Sequence, residues 1–209
     1  NYVSLGDASE LNPSCYQLTE DDVGQIGALW NTYTTDLSCD FYWEGTLFWE
    51  SPGGADGIAF VMHNDPTGTT TIGNGSTNMG YGGISPSIAL EFDIYENNNG
   101  CLPLLDSQGD PCPGCPAGQN HIALYSNGIN TNPANELISP ICIPTFTDSS
   151  PHDLMINWNA TATTLTVTID GTVVATYTDD IVNNIFSGTS NVYFGFVGKT
   201  GGGNLGNAQ

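Results

Sequence analysis

The stretch Ser87-Ile88-Ala89-Leu90-Glu91-Phe92-Asp93-Ile94-Tyr95-Glu96-Asn97 alternates with a period of two residues. Side chains of a β-strand point alternately to its two faces. Ile88, Leu90, Phe92 and Ile94 therefore share one face, which reads as a core face. Ala89, Glu91, Asp93, Tyr95 and Asn97 share the other, so two carboxylates, a phenol and an amide form one row. Alternate residues on a strand lie roughly 6.6 Å apart, so Glu91 and Asp93 would bracket a cation with oxygen ligands at about 2.3–2.6 Å. A solvated polar face fits the same eleven residues equally well. The rest of the chain has to separate the two readings.

Outward from this strand the chain keeps the same character. Strand-like runs at residues 40–49, 57–63, 121–126, 153–158, 164–169, 172–178 and 191–197 are separated by Gly, Pro, Asn, Asp and Thr clusters. Asp170-Gly171 between two β-branched runs predicts a two-residue hairpin, and residues 159–163 predict a second turn. Residues 153–178 thus read as a three-strand meander. Many strands, short turns and no helical periodicity predict an all-β antiparallel sandwich, one domain over residues 1–209. Residues 64–81, 98–120 and 127–150 read as long loops, which in compact β domains tend to carry function. Residues 198–209, rich in Gly and Asn, read as a loose tail.

Composition limits the partners. The chain carries 22 acidic residues against a single basic one, Lys199, for a formal charge of −21. A nucleic-acid binder needs Lys and Arg to displace counterions from phosphates, and anionic membrane surfaces need the same charges. Both are excluded, which leaves cations and neutral ligands such as sugars. No apolar run approaches the ~20 residues of a membrane span. The chain begins at Asn1 with no visible signal peptide, so it reads as a processed or excised piece of a larger protein.

Six cysteines stand at 15, 39, 101, 112, 115 and 142. Cys112-Pro-Gly-Cys115 has redox or zinc spacing but neither context: no second pair stands at zinc-ribbon spacing and no βαβ pattern surrounds it. Disulfides in an oxidising, extracellular or cell-surface setting fit better, with Cys15–Cys39 as one pair and the other four stapling the connection after Asn97.

Several motifs in order resemble the L-type (legume-like) lectin domain in its bacterial form. They are Gly54-Ala55-Asp56-Gly57-Ile58-Ala59-Phe60-Val61, Met79-Gly80-Tyr81-Gly82-Gly83-Ile84, the strand from Ile88 to Tyr95 with Asn97, then His121-Ile122-Ala123-Leu124, and Phe196 to Gly203. The resemblance implies a jelly-roll sandwich of concanavalin type and a non-catalytic, Ca2+-dependent glycan-binding module, one domain of a larger adhesin. It implies Asp93, the Tyr95 carbonyl, Asn97 and Asp110 as Ca2+ ligands. Glu91 and His121 would face a second, Mn2+-like metal where one exists. It also implies a cis Ala55–Asp56 peptide, and sugar contacts from Asp56, Asn97, Tyr95, Thr77, Asn78, Gly201 and Gly202. Two departures bear on ligand choice. Ser76-Thr77-Asn78 stands where the family has a Gly-Gly pair, and the connection from Asn97 to His121 is expanded.

Two rival readings stay open. Glu91-x-Asp93-x-x-Glu96 also resembles the catalytic strand of laminarinase-like retaining glycoside hydrolases, with Glu91 as nucleophile and Glu96 as acid/base. That scheme needs the two carboxyls about 5–5.5 Å apart, hence a β-bulge, and gives Asp56, Asn97 and His121 no role. The other rival is a structural or adhesion domain that binds no sugar. His63 and His152 have no partners in sequence and read as structural or surface residues. The four tryptophans read mainly as core. Asn74-Gly75-Ser76 and Asn159-Ala160-Thr161 match glycosylation acceptors, relevant only in a eukaryotic secretory host.

Overall fold

The computed structural model describes residues 1–49, 54–74, 78–95 and 120–202. Fourteen strands are found there: β1 (Tyr2–Gly6), β2 (Ser9–Asn12), β3 (Cys15–Gln17), β4 (Ile26–Asn31), β5 (Thr35–Asp36), β6 (Phe41–Leu47), β7 (Asp56–His63), β8 (Ser87–Asp93), β9 (Asn120–Ser126), β10 (Glu136–Ile143), β11 (His152–Asn159), β12 (Thr164–Ile169), β13 (Thr172–Thr178) and β14 (Asn191–Thr200). The α-helical content described is one turn, α1 (Ile181–Asn184), capped by the Asp180 side chain. No helix among the described residues is long and apolar enough to cross a membrane.

The strands form two layers. One sheet of eight runs β1-β4-β14-β7-β8-β9-β10, with β5 pairing the start of β14. The other, of four, runs β13-β12-β11-β6. β2 and β3 make a separate hairpin. The described ladders are all antiparallel. The meander at β11–β13 forms as the turn residues require: Asp170 and Gly171 sit at φ 48° and 76°, the left-handed pair of a tight hairpin.

Alternation decides which face packs where. Ile88, Leu90 and Phe92 of β8 point between the sheets with Ile58 and Phe60, against Leu154, Ile156, Trp158 and Val167. Each large apolar side chain fully buried this way is worth about 1.5–3 kcal/mol. Trp30, Trp49 and Trp158 are buried, and Trp43 is half-buried against the same core. The opposite face of β8 is not solvated. Ala28, Ala59, Val61, Ala89, Val197 and Trp30 meet Met79, Tyr81 and Ile84, which fold back over the sheet as a second apolar cluster.

Three expectations need correction. Residues 127–150 are not one loop: they contain a 3-10 turn, Pro133–Asn135, and β10. The pattern of β10 is hidden by Pro140 and two register shifts, which an edge strand tolerates. The tail reading fails at residues 198–200, which complete β14. Cys15 and Cys39 are both free and exposed, so that pair does not form. Cys142 is disulfide-bonded, while Cys101, Cys112 and Cys115 lie outside the described residues.

Two histidines give the fold a pH signature of opposite signs. His63 is buried between Trp30 and Tyr193, with ring centroids 4.4 and 5.5 Å away. Burial pushes its pKa down to about 4, against the opposing charge of Asp65. It folds neutral, so its stabilisation is present above its ordinary 6.5 and is lost as pH falls towards 4. His152 lies 2.8 Å from Asp170 and 3.1 Å from Asp148. Burial lowers its pKa, but the hydrogen bonds and charges of the two aspartates outweigh that and hold it raised. Its contribution is fully present below 6.5 and is lost as pH rises through the raised value. Urea midpoints measured against pH should therefore fall on the alkaline side in the wild type. His152→Gln should flatten that limb and leave the His63 limb unchanged.

Candidate functional site

Four neighbouring strands meet at one end of the sheet. In the pairing of β14, β7, β8 and β9, Lys199 is registered with Gly57, Gly57 with Asp93, and Asp93 with His121. Asp56 opens β7 immediately after a cis Ala55–Asp56 peptide, as the resemblance implies. The Ile94 N–H donates to the Asp56 carbonyl at 3.2 Å, and Gly201 N–H donates to the Ala55 carbonyl at 2.9 Å. These bonds tie the start of β7 to the end of β8 and to the segment after β14.

Asp93 is 1% exposed and Glu91 fully buried. Asp93 Oδ1 accepts from the Tyr95 N–H at 2.8 Å, and its Oδ2 lies 3.5 Å from His121 Nε2. Burying ionised carboxylates is expensive unless charge or hydrogen bonds compensate. The chain's only Lys or Arg is Lys199, and its ammonium binds Asp56 Oδ2. His121 is the ion-pair partner described for Asp93, and an oxygen-liganded cation suits this donor set.

Gly57 keeps the row open. Its φ is 154°, and a Cβ there would lie 2.3 Å from the Phe92 carbonyl oxygen and 3.1 Å from Met79 Sδ. Only glycine fits between Lys199 and Asp93.

The remaining residues sort differently. Glu91 Oε1 accepts from the Tyr81 hydroxyl at 2.5 Å and from Asn130 Nδ2 at 3.2 Å. Among the described residues no three His, Cys, Asp or Glu side chains come together as an ion-holding group. Asn78 is buried and gives its amide Nδ2 to the Gly128 carbonyl at 2.9 Å, bracing the covering loop. Tyr95 is half-buried. Gly201 is buried, accepting from Gly24 N–H at 3.1 Å, whereas Gly202 is exposed with open space at its Cβ position. Thr77, Glu96, Asn97 and Asp110 lie outside the described residues.

Four neighbours of the site were not visible in the sequence pattern. Lys199 is 143 residues from Asp56 along the chain. Tyr81 and Asn130 come from connections that alternation does not order. Asn120 is the fourth: its Nδ2 reaches the Ile94 carbonyl at 3.4 Å, and its Oδ1 accepts from Phe146 N–H at 2.6 Å. An amide directly before His121 was the available hint.

Comparison with known proteins bears on the family and the fold. The family model described as the legume lectin β-barrel domain covers residues 1–209. The chain belongs to the L-type lectin domain family. Its fold is the family's jelly-roll β-sandwich. Similar solved structures include peanut lectin with a 9mer peptide, at TM-score 0.70 and 16% identity, covering 97% of this chain and 84% of that one. The legume lectin-like domain from Entamoeba histolytica has TM-score 0.70 and 14% identity, covering 99% of this chain and 84% of that one. The VIP36 exoplasmic/lumenal domain in its Ca2+/Man-bound form has TM-score 0.62 and 17% identity, covering 96% and 76%.

Proposed function

We propose that this L-type lectin domain binds glycans or polysaccharides in a Ca2+-dependent manner, as one module of a secreted or cell-surface adhesin. The observation that carries the reading is the register of β7, β8 and β9, which brings Asp56, buried Asp93 and His121 to one end of one sheet. Family membership and the Ca2+/Man-bound relative support the same chemistry. In this reading Asp93 and the Tyr95 carbonyl hold the ion, with Asn97 and Asp110 as further ligands. The bound ion supplies charge compensation and fixes the polar loop, lowering the entropy lost when sugar binds.

Asp56 accepts hydrogen bonds from sugar hydroxyls, and Asn97 serves ion and sugar together. Tyr95, Thr77, Asn78, Gly201 and Gly202 would supply the further sugar contacts. Glu91, whose Oε1 accepts from Tyr81 and Asn130, and His121 would face a second, Mn2+-like metal. The hydrolase alternative is less well supported, since a fully buried Glu91 is poorly placed to attack a sugar.

A glycan array run with and without EDTA tests the proposal. Binding that EDTA abolishes and Ca2+ restores is expected. EDTA-insensitive binding would count against the metal-ordered site, and no binding under any condition would favour a structural domain.

A further inference from the structure

Lys199 is the only Lys or Arg in a chain of charge −21, and it stands at the sugar site. Its ammonium binds Asp56 Oδ2, and the two side chains are 15% and 11% exposed. Register places Lys199 beside Gly57, whose other neighbour is Asp93. The two residues after Lys199 are tied to the start of β4: Gln25 N–H donates to Thr200 Oγ1 at 2.8 Å, and Gly24 N–H to the Gly201 carbonyl at 3.1 Å. Without Lys199, Asp56 and Asp93 would stand at this end of the sheet with no Lys or Arg in the chain to serve them.

We propose that Lys199 is the positioning and specificity-determining residue of the sugar site, holding and neutralising the Asp56 carboxylate so that the site takes an uncharged sugar. This rests on the carbohydrate-binding reading above. A carboxylate held by an ammonium keeps one orientation, and charge-assisted hydrogen bonds are the strong ones. The pair is electrically neutral, so a neutral sugar meets no net charge at its first contact. A protonated amino sugar would have to compete with the ammonium for Asp56, and an acidic sugar would meet the Asp56 carboxylate itself. Aspartate paired to a point charge still has acceptor capacity for hydroxyls, because each carboxylate oxygen accepts more than one hydrogen bond.

A single lysine makes the test direct. Isotope-labelled lysine gives one side-chain resonance, belonging to Lys199, which can be followed while the Ca2+-loaded domain is titrated. The probes are glucose, galactose and mannose against glucosamine, galactosamine and mannosamine. Neutral sugar should shift the Lys199 resonance at the concentration where it binds, and Asp56→Asn should move that resonance before any sugar is added.

Lys199→Met should lose about tenfold in affinity for the neutral sugar and shift the neutral-to-amino preference by a similar factor. Lys199→Arg, which keeps the charge, should restore both. Unchanged affinity and preference in Lys199→Met, with the wild type binding normally, would overturn this inference alone. A wild type that binds none of the sugars would take down the carbohydrate reading, and this inference with it. A Lys199→Met domain that fails to fold would leave Lys199→Arg and the wild-type resonance as readouts. A resonance indifferent to bound sugar would then reject the proposal.

Discussion

Restoring Ca2+ to the metal-stripped domain, at a free concentration near 100 times its Kd, should raise the unfolding midpoint by roughly 5–10 °C. Ligand that binds only the native state adds about 2.7 kcal/mol at that ratio, and a domain of this size shifts by about 2–4 °C per kcal/mol. The physical reason lies at Asp93. Its carboxylate is 1% exposed and lies on a strand with Glu91, in a chain whose single Lys is committed to Asp56. A bound cation offsets the cost of burying this carboxylate, which the apo fold meets only with protein groups such as the Tyr95 N–H and His121. Asp93→Ala should abolish the shift, because the ion then loses a central ligand. Glu96→Ala should leave the shift intact, whereas the hydrolase reading makes Glu96 the residue whose loss ends turnover on β-glucans. A melt indifferent to Ca2+ after chelation would remove calcium from the account of this site.

What was legible in the sequence follows from how each strand is buried. β8 reads correctly because one face meets aliphatic core and the other mixes small, acidic and polar side chains, so its period of two survives in the letters. β11 and β12 read correctly because their outer faces stay polar: their burial alternates residue by residue. β4 is different. Leu29 points into the central core while Ala28 and Trp30 point into the second cluster, so Ile26–Asn31 shows no alternation. The same double burial made the choice between a solvated and a functional second face undecidable from β8 alone. Its cover, Met79, Tyr81 and Ile84, comes from a connection with no strand period of its own. In the candidate site, Asp93 could be read from the alternation of its own strand, whereas Asp56, on a strand buried at every residue, entered only through the family resemblance. Lys199 was not visible, since only the pairing of β14 with β7 brings it to Asp56.

Gly57→Ala should be among the most damaging single changes in the domain, costing about 2–4 kcal/mol through overpacking and forced backbone conformation together. At φ 154° the backbone is one that residues with a Cβ rarely adopt, and the added methyl would lie 2.3 Å from the Phe92 carbonyl oxygen. That carbonyl belongs to the central strand pairing of β7 with β8, where Ile58 faces Phe92 and Gly57 faces Asp93. Neither neighbour can retreat cheaply. Phe92 packs its ring edge-on against Phe146, with centroids 5.8 Å apart, and Met79 Sδ, 3.1 Å from the new methyl, belongs to the tightly buried second cluster. The clash therefore has to open the β7–β8 ladder at its site end, which separates Asp56 from Asp93. Thermal melts should show a large loss of stability, and ion and sugar affinity should fall together even in molecules that remain folded. Gly202→Ala is the matched control, since its Cβ would meet nothing within 4 Å. Its stability should stay within about 0.5 kcal/mol of the wild type, the usual range for surface substitutions. If Gly57→Ala melted like the wild type while retaining ion affinity, the site would not depend on the close approach of β7 to Phe92, and the row Lys199–Gly57–Asp93 would lose its structural basis.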